Sequence, residues 1–234
     1  SMFTDITERK QVEAELKAAK EEAERVAEAK SDFIAVISHE VRTPMNGVLG
    51  MARLMLEQPL LAEQRSQIKT IVDSSEALLT ILNDLLDVSK LDAGKLELEA
   101  IPFATRSLII ETANVMASRA KEKGLVLEHE IAPNVPDALL GDANRLRQIL
   151  LNLLSNAIKF TDHGKVTVAV RGVETLTGAF KLVLSVKDTG IGISTDEAKK
   201  LFSPYYQATV DIARERGGTG LGLSICRQLA ELMG

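Results

Sequence analysis

Residues 78–101 read LLTILNDLLDVSKLDAGKLELEAI, and the period of their apolar residues changes at Gly94. Before Gly94 the apolar side chains return every three or four residues, the period of a helix with one buried stripe. The stripe runs Ile68, Ile71, Val72, Leu78, Leu79, Leu82, Leu85, Leu86 and Val88. It predicts a helix over about 63–91, with Gly94 suited to its end. After Gly94, residues 95–101 alternate charged and apolar, which predicts a strand. A helical unit therefore gives way near Gly94 to a unit of mixed helix and strand.

Toward the N-terminus, residues 8–30 are rich in Ala, Glu and Lys and lack Gly and Pro, a strong helix composition. A 4-3 spacing of Val12, Leu16, Ala19, Ala23, Val26, Lys30, Phe33 and Ile37 reads as a weak coiled-coil seam, with a solvated single helix as the alternative. Apolar content rises through 33–56, and Pro44, which lacks an N–H, should bend that helix locally. Gln58-Pro59 breaks it. Two long amphipathic helices with a short connection make an antiparallel hairpin. Two helices cover only part of their stripes, and a second copy of the chain would bury the rest.

Toward the C-terminus, helices are expected at about 105–123 and 142–160, the second with Asp142 as N-cap, and one from 219 to the last residue. Strands are expected at about 125–131, 165–173 and 180–187. Helices on one face of a mainly antiparallel sheet fit this order.

The chain has 234 residues, with 33 acids against 28 bases and a net charge of -5. That length allows one large or two small domains. Its single cysteine rules out an internal disulfide, and no Cys/His cluster has zinc spacing. A mildly acidic chain with six Phe, two Tyr and no Trp is a poor nucleic-acid binder, so no nucleic-acid partner is expected. No run of 18 apolar residues occurs, and the polar start lacks the apolar core of a signal peptide. A cytoplasmic setting is expected.

Four stretches carry chemistry. In Ser38-His39-Glu40-Val41-Arg42-Thr43-Pro44, a histidine has a carboxylate beside it, one turn before a proline. Neutral imidazole is a good nucleophile near pH 7, and a carboxylate on one ring nitrogen raises the nucleophilicity of the other. A lone His-Glu pair on a helix is most often simply surface. Asn152, Asn156 and Lys159 lie at i, i+4 and i+7, on one helical face. Two amides and an ammonium suit phosphates and a hard cation, although a polar solvent face has the same periodicity. Asp188-Thr189-Gly190-Ile191-Gly192 follows a strand; its aspartate can accept from an exocyclic amine, yet such a turn alone is a weak signal. Gly217-Gly218-Thr219-Gly220-Leu221-Gly222 opens a helix, where free N–H groups favour an anion. It is neither a Walker A sequence nor a dinucleotide fingerprint. The stretch 203–216 between the last two sites reads as a lid.

In this order the four motifs resemble the transmitter region of sensor histidine kinases, over about residues 30–234. The wording around His39 and in 84–99 is most similar to the hybrid kinases, whose transmitter is followed by a receiver domain. The resemblance implies a dimeric helical hairpin, forming a four-helix bundle, followed by an α/β sandwich of the gyrase, heat-shock and histidine-kinase ATPase type. It divides the chain into a signalling helix (1–29), a dimerisation and phosphoacceptor domain (30–94) and an ATP-binding domain (95–234). The family's sandwich continues past the last helix with two further strands, so the expected ATP-binding domain is cut short. Asp5 to Lys10 resembles the end of a PAS sensor domain.

By the same resemblance, His39 is the phosphoacceptor, Glu40 its general base, and Thr43 a residue used in dephosphorylating a receiver. ATP and Mg2+ are the implied ligands. Asn152 and Asn156 flank the magnesium, with Asn156 the direct ligand, and Lys159 and Phe160 line the nucleotide. Asp188 recognises adenine, with Gly190 and Gly192 shaping its pocket. Tyr206, Gln207 and Arg214 lie at lid positions, and Gly218, Thr219, Gly220, Leu221 and Gly222 form the closing turn. Arg216 stands where the family often has an aromatic. The implied function is ATP-dependent autophosphorylation on His39 and transfer to a receiver-domain aspartate of a response regulator, by a homodimer. An ATPase or chaperone-type module, or an inactive dimeric scaffold, is the alternative.

Overall fold

The computed structural model describes residues 2–174, 180–206 and 219–234. They form two compact units, Ser1–Leu96 and Glu97–Gly234.

The first unit is a helical hairpin of α1 (Met2–Leu56) and α2 (Ala62–Asp92). The helix α1 runs unbroken through Pro44. It stops before Pro59, and the Leu61 N–H that opens α2 donates to the Gln64 side chain at 3.1 Å. Leu49 and Ala52 bury against Ile68 and Val72 to form the core nearest the connection. Arg53–Glu76 (2.7 Å) and Arg42–Asn83 (2.9 Å) set the register further along. At the open end, Lys95 reaches Glu28 (3.0 Å) and Asp32 (3.1 Å), and these two carboxylates hold its ammonium pKa above the ordinary value. The expected seam stays uncovered within one chain: Val12, Leu16 and Phe33 are 59%, 69% and 67% exposed.

The second unit holds β1 (Ile101–Ala104), α3 (Thr105–Glu122), β2 (Val126–Ile131), β3 (Ala138–Gly141), α4 (Ala143–Phe160), β4 (Lys165–Glu174), β5 (Phe180–Asp188), α5 (Thr195–Ala198) and α6 (Gly222–Met233). The strand expected at 95–101 is instead β1, pairing antiparallel with β3 from Ile101↔Gly141 to Ala104↔Ala138. The ladder cannot reach back further because the next residue after Gly141 is Asp142, the N-cap of α4. Its carboxylate takes the Arg145 N–H (2.9 Å) and also the Glu99 N–H (3.2 Å), which a strand partner would otherwise have taken. The sheet is also less antiparallel than expected. In the order β2-β4-β5, β4 and β5 are antiparallel, whereas β2 and β4 are parallel because β3 and α4 lie between them in sequence.

Val166, Val168 and Val170 alternate along β4 and face the core, where Leu150, Leu154 and Ile158 of α4 and Ile109 and Met116 of α3 meet them. Leu150 and Leu154 are fully buried, each contributing about 1.5–3 kcal/mol by removal from water. This packing fixes α4 as the central helix of the unit. No described helix is long and apolar enough to cross a membrane.

Candidate functional site

The hairpin presents His39 and Glu40 to solvent, 76% and 74% exposed. Nδ1 of His39 lies 3.8 Å from a Glu40 carboxylate oxygen, adjacent but longer than a hydrogen bond. The Thr43 hydroxyl donates to the His39 carbonyl at 3.2 Å. The preceding residue, Ser38, is 1% exposed, so the face of α1 turned inward lies next to the one that carries His39. The imidazole is thus open to an incoming group, with a carboxylate at hand for its proton. His129 sits in β2 and His163 in a turn, both without a neighbouring proline-containing helix turn.

In the second unit the remaining motifs meet on α4. Asn152 donates its amide to the Gly222 carbonyl at 3.4 Å, joining the middle of α4 to the first residue of α6. A side chain at Gly222 would sit 3.1 Å from the Asn152 amide oxygen. One turn on, Asn156 is half-buried on the same face. Lys159 places its ammonium 4.9 Å from the centroid of the Phe160 ring. At the helix end, the Phe160 carbonyl accepts the Ile191 N–H at 3.3 Å, binding the loop after β5 to α4.

That loop folds on itself. Asp188 ends β5 and accepts the Gly190 N–H at 2.8 Å. Thr189 pins the loop to the start of β4, accepting the Lys165 N–H (3.1 Å) on its hydroxyl and donating its own N–H to the Lys165 carbonyl (3.2 Å). Gly190 lies so close to the Phe160 carbonyl that any Cβ would overlap it. Gly192 lies in the exposed part of the loop.

The lower edge of the glycine-rich turn is built by the Tyr205 N–H donating to the Gly220 carbonyl at 3.0 Å. Gly220 has φ +69°, and a Cβ there would come 2.8 Å from the Tyr205 backbone. Tyr206 is half-buried beside it. The Thr219 hydroxyl accepts the Leu221 N–H at 3.1 Å, and Leu221 is buried as α6 begins. That helix opens at Gly222 rather than at 219, because Thr219 and Gly220 are held by this turn. Gln207, Arg214 and Gly218, expected at the site, lie outside the described residues, as does Arg216.

The residues suit the implied ligands. Amide oxygens with an ammonium on one helix face, and glycines packed against carbonyls on both sides of it, match a hard cation and a polyphosphate held partly by backbone. Sequence reasoning missed Lys123, whose ammonium meets three carbonyls at the end of α4. Nothing in its local sequence marks it, since it looks like any basic residue ending a helix.

Residues 29–94 match the His Kinase A (phospho-acceptor) domain, and residues 141–234 match the histidine kinase-, DNA gyrase B- and HSP90-like ATPase. The signal transduction histidine-protein kinase BarA of Escherichia coli (strain K12) is 45% identical over 220 residues, covering 94% of this chain and 24% of BarA. Hybrid signal transduction histidine kinase A of Dictyostelium discoideum is 45% identical over 236 residues, covering 97% of this chain and 11% of its own length. The chain thus spans a quarter or less of these relatives. Full-length ShkA, crystallised in complex with AMPPNP, superposes with a TM-score of 0.69 at 38% identity, covering 88% of this chain and 42% of ShkA. The chain belongs to the histidine kinases, as a transmitter region that joins a phospho-acceptor hairpin to an ATPase domain of the gyrase and HSP90 type.

Proposed function

We propose that this transmitter phosphorylates His39 from ATP and passes the phosphoryl group to an aspartate of a receiver domain. The observation that carries the reading is the meeting of three separate motif segments on α4, through Asn152–Gly222 and Phe160–Ile191. Asp188 would accept the adenine amine, Lys159 would neutralise phosphate charge, and Asn156, with Asn152 beside it, would hold a magnesium ion. A bound magnesium ion supplies charge neutralisation on the polyphosphate. A His39 ring nitrogen attacks the γ-phosphorus, the bond to the β,γ-bridging oxygen breaks, and ADP leaves. Glu40 takes the proton from the other ring nitrogen, relieving the charge that builds on imidazole. Positioning and electrostatics supply most of the acceleration, as phosphoryl transfer requires.

The exposed apolar residues along α1 favour a homodimer that buries them in a shared bundle. Thr43, one turn from His39, is the residue for a receiver phosphatase activity, and an upstream PAS-like domain would drive α1 in a cytoplasmic setting. Labelled ATP with magnesium tests the core claim. The parent should take up acid-labile label and His39→Gln none. Label retained by His39→Gln, or an acid-stable bond, would overturn the assignment. Phosphate release without labelled protein would make the chain an ATPase instead.

A further inference from the structure

The last turn of α4 has its carbonyls fully assigned. The Ala157 carbonyl takes the Thr161 N–H (3.1 Å) and the Thr161 hydroxyl (2.7 Å). The Phe160 carbonyl takes the Ile191 N–H. The other three, from Ile158, Lys159 and Thr161, all go to the ammonium of Lys123, at 2.9, 3.0 and 3.1 Å. A lysine ammonium has three donors, and here each has one acceptor. Its charge also sits at the negative end of the helix dipole. Lys123 is itself anchored as the C-cap of α3, its N–H bonded to the Ala120 carbonyl at 3.2 Å. The ends of α3 and α4 are therefore locked to one another through a single side chain.

We propose that Lys123 is a positioning residue for the nucleotide site, aiming Asn156 and Lys159 at the magnesium and phosphates. The inference rests on the nucleotide-binding reading above. Lys159 stands on the turn that Lys123 holds and Asn156 directly before it, so their aim depends on it. Asn152 has its own tie to Gly222, and Asp188 ends β5 in a loop that Thr189 holds to the start of β4, besides the Phe160–Ile191 bond to α4. Loss of Lys123 should therefore weaken the hold on magnesium and phosphate while sparing adenosine. A role limited to stability would weaken both alike.

The experiment measures the affinity of the whole chain for ATP with magnesium by calorimetry, and for adenosine by NMR titration. Lys123→Met should weaken ATP binding about tenfold and leave adenosine binding within about twofold. Lys123→Arg, which keeps the charge and donors, should stay within about threefold of the parent for both ligands. Arg106→Met is the control. Arg106 likewise holds three groups in the same unit, Asp137 (3.3 Å) and the carbonyls of Ala132 (3.1 Å) and Val135 (3.4 Å), none of them on α4. It should lower the melting temperature without changing the ratio of the two affinities. If Lys123→Met does not fold, Lys123→Gln carries the same comparison. An unchanged ATP affinity, or an equal loss for ATP and adenosine, would overturn the proposal. A parent that binds no ATP would instead overturn the nucleotide reading itself.

Discussion

Gly190 stands where the end of α4 touches the loop leaving β5, and a single methyl group tests that contact. A Cβ there would overlap the Phe160 carbonyl and lie 2.9 Å from the Asp188 carboxylate. Gly190→Ala should force the loop away from α4 and lower ATP affinity about tenfold or more, measured by calorimetry. Unchanged affinity would mean that the loop adapts without affecting the site. Ser38 and Ser89 are 1% and 4% exposed, and among the described residues their hydroxyls have no hydrogen-bond partner. An unsatisfied buried hydroxyl costs about 1–3 kcal/mol. Ser89→Ala should therefore stabilise the chain by about 1 kcal/mol in a denaturation titration, and destabilisation would show that its packing outweighs the orphaned oxygen. The motif residues were legible at this scale because glycine, amide and histidine patterns have chemical reasons to exist. Lys123 was not, because its role comes from three carbonyls some 35 positions away in sequence.

Among the elements, α2, α3 and α4 follow their apolar periods closely, and Asp142 caps α4 as expected. The failures occur where pairing decides. Residues 95–101 carry a clean strand alternation, but β3 offers only four residues, and they align with 101–104. Alternation marks the potential for a strand, and the partner's length sets what forms. The four residues of β3 are too short for periodicity to reveal. The short α5 was readable in principle, since Ser194 and Glu197 form a reciprocal capping box. Asp142 is the sharpest test at this scale, because one buried carboxylate caps α4 and also holds the chain before β1. Asp142→Ala should cost about 1–2 kcal/mol in chemical denaturation. A loss under a few tenths would show that water replaces both bonds.

In the whole molecule, the proposed acceptor His39 and the proposed nucleotide site on α4 belong to different units of the chain. The change of period at Gly94 lies close to the division between Leu96 and Glu97, and α1 is exposed where two helices were expected to leave part of their stripes uncovered. The first unit leaves Phe33, Val36 and Ile37 uncovered, as it does Leu16 and Val26 nearer the start of α1. A charge within that surface should be costly in a bundle of two copies. Phe33→Glu should shift the proposed dimer toward monomer in sedimentation equilibrium, and a dimer unaltered by the change would place the interface elsewhere. The proposed phosphorylation of His39 with nucleotide held on α4 draws on residues of both units. The direct measurement is a phosphopeptide map by mass spectrometry, at neutral to alkaline pH, after incubation with ATP and magnesium. The account predicts one phosphoryl group on the imidazole of His39 in the parent and none in Asn156→Ala. A phosphoryl group on any other residue, or full labelling of His39 in Asn156→Ala, would contradict it.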